Sequence, residues 1–123
     1  MSELRLRMRA VLTEALRARD KASASALRSA LAALENAEAV PAVSPDGAAG
    51  SAHVAGAYVG VGTAEAERRR LTSAEETAII DGELAGLAEA VATYDRLSDS
   101  DRAAAPRIGR AALAPFGSNP SSA

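Results

Sequence analysis

The sequence predicts an all-α protein: a small helical bundle of about four helices, the first two forming a hairpin packed on a long third, with a long Gly/Ala-rich loop. Two observations carry this. Of the 123 residues 48% are hydrophobic but only 2% aromatic, with two tyrosines, one phenylalanine and no tryptophan. The core must therefore be built from Ala, Leu, Val and Ile, a composition that favours helices. Apolar residues also recur at helical spacing in three separate segments, each flanked by residues that stop or start helices. The length fits one domain. It is expected to span 1–116, with residues 41–64 as a mobile loop and 117–123 as a disordered tail.

In the first segment, Ser2 to Arg19, the residues Leu4, Met8, Val11, Leu12 and Ala15 mark one face of an amphipathic helix, with Ser2 as its N-cap. Asp20 offers an oxygen where the chain can restart. Ala24, Leu27, Leu31 and Leu34 then continue a second stripe to about Ala39. The short connection implies an antiparallel hairpin, because neither stripe can be buried alone. Past Val40 the residues Pro41, Pro45 and Asp46-Gly47 and repeated glycines end the periodicity. The loop that follows exceeds the roughly 12–15 residues usual for structureless connections, which marks it for mobility or binding.

Order returns at Leu71. Thr72 and Glu75 have capping-box spacing, and Ile80, Leu84, Leu87, Val91 and Tyr94 form the stripe of a third helix. Gly82 and Gly86 fall on its outward side. A capping cluster at Ser98 to Asp101 precedes a fourth helix over Arg102 to Leu113, which starts nearer Ala105 if Pro106 is to lie in a first turn. The expected core is Leu4, Met8, Val11, Leu12, Leu27, Leu31, Leu34, Ile80, Leu84, Leu87 and Val91.

Much chemistry is excluded by composition. No cysteine is present, so disulfides, zinc-thiolate sites and thiol nucleophiles are ruled out, and a single histidine rules out a multi-histidine metal site. Gly60-Val61-Gly62 is not followed by the lysine of a phosphate loop. Ser51 and His53 stand two apart in a flexible stretch, with no carboxylate placed to orient the ring. Glu75, Glu76, Asp81, Glu83 and Glu89 lack the Glu-x-x-His motifs of di-iron bundles and read as a solvated helix face. No catalytic residue, cofactor or metal is therefore expected. Met1 to Asp20 has no uninterrupted apolar run, so no membrane partner is expected and a cytoplasmic location is.

Charge is unevenly distributed. The net charge is −2, but residues 1–28 sum to +4 and 29–123 to −6. Arg5, Arg9, Arg17, Arg19, Lys21 and Arg28 could meet phosphates, and Arg68-Arg69-Arg70 adds a second basic cluster before the third helix. The alternative is solvation of the turn or pairing with Glu35, Glu38 and their neighbours.

The stretch Leu16-Arg17-Ala18-Arg19-Asp20-Lys21, continued by Leu27-Arg28, Ala32, Asn36 and Glu38, resembles the amino-terminal half of the GatB/YqeY helical family. Arg69-Arg70-Leu71-Thr72 followed by Glu75, leading into a helix that ends near Tyr94-Asp95, resembles that family's third-helix start. The linker between them is similar to that of actinobacterial members, and the likeness covers residues 1–97. It implies a domain related to the tail of the B subunit of the aspartyl/glutamyl-tRNA amidotransferase, which contacts tRNA without housing the chemistry. Free-standing members carry, by association, the label of carbon–nitrogen ligases with glutamine as amido donor, yet this chain has no residues for that reaction. Where the family carries a basic turn in the third helix, this chain has Gly86-Leu87-Ala88. The expected function is a non-catalytic module contacting tRNA or a tRNA-handling enzyme, with Arg17, Arg19, Lys21, Arg28, Arg68, Arg69 and Arg70 as RNA-contact candidates. The competing class is a protein-interaction or homo-oligomerisation domain that uses the Gly82/Gly86 face and binds no RNA.

Overall fold

The structure, a computed structural model, describes residues 2–39 and 70–118. The expected loop 41–64, with Ser51, His53 and Gly60-Val61-Gly62, lies outside them, as do Arg68, Arg69 and the last five residues. Four α-helices follow in order: α1 (Glu3–Arg17), α2 (Lys21–Ala39), α3 (Ser73–Arg96) and α4 (Ser100–Leu113), the last running into a 3₁₀ turn at Ala114–Phe116. Among the described residues there is no strand, and no helix is long and apolar enough to cross a membrane.

Each helix boundary has a local cause. The Ser2 side chain accepts from Arg5 N and starts α1. Arg19 takes up φ 60, its N–H donating to Leu16 O at 3.1 Å and that of Asp20 to Ala15 O at 2.9 Å. This pair of bonds is the Schellman stop, which places a left-handed residue just past the helix. Asp20 then caps α2, accepting from Ser23 N at 3.1 Å and Ser23 Oγ at 2.7 Å. The same stop recurs at Ser98, with φ 57, followed by the Asp99 cap on α4. The capping box expected at Thr72 and Glu75 is complete, with bonds of 2.9 and 3.0 Å.

α1 and α2 form the antiparallel hairpin, with Arg5 meeting Glu38 and Arg9 meeting Glu35. α2 is the central helix, touching all three others. α3 runs antiparallel to it, Glu76 lying near Glu38 through Arg5 and Ser29 Oγ donating to Glu83 at 2.8 Å. α3 packs directly on α2 of the hairpin, as expected, and α4 packs along both α2 and α3. Met8, Leu27, Ala30, Leu31, Leu34, Ile80, Leu113 and Phe116 form the buried core.

Four expectations change. Val11 is 39% exposed, because α1 turns Arg5, Met8, Leu12 and Ala15 inward instead. Leu4, Leu12, Leu84 and Leu87 are partly buried and pack against the core without being enclosed by it, and Val91 is partly buried outside that cluster. α4 begins at Ser100, so Pro106 sits in its interior and deprives the Arg102 carbonyl of its helical donor. Burial of Ala103 and Gly109 on either side holds the helix through that break. Finally, Gly117 and Ser118 are not part of a disordered tail: Ser118 N donates to Asp81 at 2.8 Å. That bond holds the Asp81 carboxyl below the usual carboxylate range.

Gly109 explains how closely α4 approaches α2. A Cβ built there would stand 2.9 Å from the Ala26 Cβ and 3.4 Å from the Ala22 carbonyl oxygen, whereas one at Gly82 or Gly86 would meet nothing within 4 Å. Gly82→Ala and Gly86→Ala are each expected to stabilise the fold by about 0.4–1 kcal/mol. Gly109→Ala should lower the urea midpoint, because an overpacking cost of about 1–3 kcal/mol outweighs a propensity gain of about 1 kcal/mol. A raised midpoint for Gly109→Ala would show that the two helices separate freely.

Candidate nucleic-acid interface

Of the seven basic residues of the first hairpin, Arg7 lies over the Phe116 ring at 5.3 Å, and the other six divide into three groups. Arg5 is not available to a phosphate. It is 7% exposed, and Nη1 donates to Glu38 Oε1 at 3.0 Å while Nη2 lies 2.8 Å from Glu38 Oε2 and Nε 3.3 Å from Glu76 Oε2. Nη2 and Nε are held by these two ion pairs. The hydrogen bond with Glu38, reinforced by the charges of Glu38 and Glu76 against the opposing effect of burial, raises the Arg5 pKa above its ordinary value. Arg9 is engaged at the surface by Glu35 at 2.8 Å. Burial removes Arg5 from the phosphate contacts, whereas the Arg9 pair is solvent-exposed and worth little.

Arg17 is exposed and pairs with Glu14 at 3.2 Å within its own helix, a geometry worth little in water. Arg19, Lys21 and Arg28 form the third group. They line one cleft of about 480 Å³ between α1 and α2 at the hairpin turn, together with Ala15, Leu16, Asp20, Ala24 and Ser25. Among the described residues these three cations make no ion pair. The cleft's one carboxylate is already occupied, since Asp20 accepts from both the side chain and the backbone of Ser23, which holds it below the usual carboxylate range.

Arg70 does not join this group. It is exposed just ahead of α3, and the Arg5–Glu76 pair fixes the start of α3 beside the first turn of α1. Arg17 lies twelve residues farther along that helix, about 18 Å away. The turn cluster and Arg70 therefore occupy opposite ends of the hairpin.

The acidic face expected on α3 is only partly a solvated one. Glu75 closes the capping box, Glu76 is buried against Arg5, Asp81 holds Ser118 and Glu83 accepts from Ser29. Among the described residues no group of His, Cys, Asp and Glu could hold a metal ion. The buried charges were the feature missed in the sequence, although a signal existed. Arg5 lies three residues before Met8, and Glu76 four before Ile80, so both occupy the register of an apolar stripe.

Comparison of the chain with family models, with curated proteins and with solved structures found no match.

Proposed function

We propose that this chain is a non-catalytic helical module, related to the tail domain of the tRNA amidotransferase B subunit, that contacts tRNA through the basic end of its first hairpin. The observation that carries the reading is the cleft at the turn, where Arg19 from the connection and Lys21 and Arg28 from α2 line one depression with a single carboxylate, Asp20, so that positive charge is in excess there. Lys21 and Arg28 are also among the residues on which the resemblance to the GatB/YqeY helical family rests. Local potential, more than net charge, governs the encounter with an anion, so a total of −2 does not oppose it.

The test is a tRNA titration at about 50 and about 200 mM salt with the unaltered chain and with Arg19, Lys21 and Arg28 all replaced by alanine. Each phosphate contact contributes about 0.9 to the slope of log affinity against log salt, so the variant is expected to lose roughly two to three from that slope. Equal weak binding by both proteins would overturn the reading and promote a protein-interaction module. Arg19→Gly sharpens the experiment. It removes a charge where φ is 60, so it should relieve about 1 kcal/mol of backbone strain while weakening RNA binding. Greater stability with undiminished binding would assign Arg19 to the turn alone.

A further inference from the structure

The cleft at the hairpin turn is more than a flat basic patch. Its floor is hydrocarbon, from buried Ala15 and Ala24, and Leu16 contributes to its wall while 47% exposed. Arg19, Lys21, Ser25 and Arg28 line it as well, as does Asp20, whose carboxylate accepts from Ser23 and keeps its negative charge, so the cations are in excess by two. Its volume of about 480 Å³ falls within the roughly 300–1,000 Å³ span of small-molecule clefts, and it is open to solvent.

Duplex RNA keeps its bases stacked inside two ridges of phosphate. It can offer charge to the three cations but nothing to a hydrocarbon floor. A single strand can turn one base out, lay its face on aliphatic carbon or a guanidinium plane, and leave the flanking phosphates for the cations. We propose that the cleft takes one unpaired nucleotide of single-stranded RNA, its base against Leu16, Ala15 and Ala24 and its flanking phosphates on Arg19, Lys21 and Arg28. This rests on the reading that the cleft binds RNA, and names the form of RNA it selects.

The probes are a fluorescent single-stranded oligoribonucleotide and the same strand annealed to its complement, titrated into the full chain. The single strand is expected to bind at least about tenfold more tightly than the duplex. Leu16→Gln, which replaces the aliphatic contact with a polar one, should lower single-strand affinity severalfold and leave the salt slope and duplex binding unchanged. Leu16→Trp, which supplies a ring for the base, should tighten single-strand binding, a gain that misfolding cannot mimic. Equal or tighter binding of the duplex, or single-strand affinity indifferent to both Leu16 variants, overturns the proposal. If both RNA forms bind equally and the Arg19/Lys21/Arg28 triple variant loses its salt slope, only the single-nucleotide assignment fails. If neither form binds, or an acidic peptide binds more tightly than both, the RNA reading fails with it.

Discussion

Arg5→Ala is expected to destabilise the fold by about 3–5 kcal/mol, the usual cost of removing one partner from a buried ion pair. The side chain is 7% exposed and Glu76 only 4%, so the variant leaves the Glu76 carboxylate in the interior without its countercharge. Such a loss is large against a total stability of about 5–15 kcal/mol for a domain. It also acts on three helices together, because Arg5 reaches Glu38 on α2 and Glu76 on α3 from the first turn of α1. Urea unfolding followed by circular dichroism checks it. The triple variant Arg5→Met, Glu38→Met and Glu76→Met should recover most of the loss, since well-packed apolar side chains then replace the whole buried ionic group at little net cost. Arg9→Ala, at an exposed pair, is expected to cost less than about 1 kcal/mol. Similar small losses for Arg5→Ala and Arg9→Ala would mean that water reaches the buried charges.

Leu34→Ala should cost about 2–5 kcal/mol, combining the transfer of the lost atoms with the cavity they leave. Leu34 is 0% exposed and belongs to the cluster that joins Met8 of α1, Ile80 of α3 and Leu113 with Phe116 at the chain's far end. The surrounding helices are tied by Arg5 on one side and by the close contact at Gly109 on the other, so the cavity cannot readily collapse. Val11→Ala, by contrast, should stay within about 1 kcal/mol because Val11 is 39% exposed. Chemical denaturation midpoints at constant slope separate the two. A larger loss at Val11 than at Leu34 would mean that α1 presents the face expected from its sequence.

The helices and most of their ends were legible because they rest on local chemistry. Ser2, Thr72 with Glu75, and Asp99 each bond to a backbone N–H three residues ahead, a relation contained within four consecutive residues. Leu27, Leu31, Leu34 and Ile80 were legible as core for a similar reason, since the helical period places them on the centre of a stripe. At the edge of a stripe the period leaves the orientation open by a residue or so. There Val11 and Arg5 exchanged places, because a long side chain can enter the interior when carboxylates from two other helices await it. The Asp99 cap marks the start of α4, but the intrinsic cost of Pro106 argues for a later one, and only the burial of Ala103 and Gly109 shows why the proline is carried inside the helix.

The sequence by itself determined that this is an all-α chain, where three of its helices begin, and that its first hairpin carries an excess of positive charge. Only the tertiary structure decided which of those charges are paired and which are grouped together. Arg5 and Arg9 are paired with carboxylates 26 to 71 residues away, Arg70 is carried to the opposite end of the hairpin, and Arg19, Lys21 and Arg28 are left around one cleft. The physical reason is range. Capping and periodicity act within a few residues, while the fate of a charge depends on which distant side chain the packing of the helices brings within a few ångströms of it.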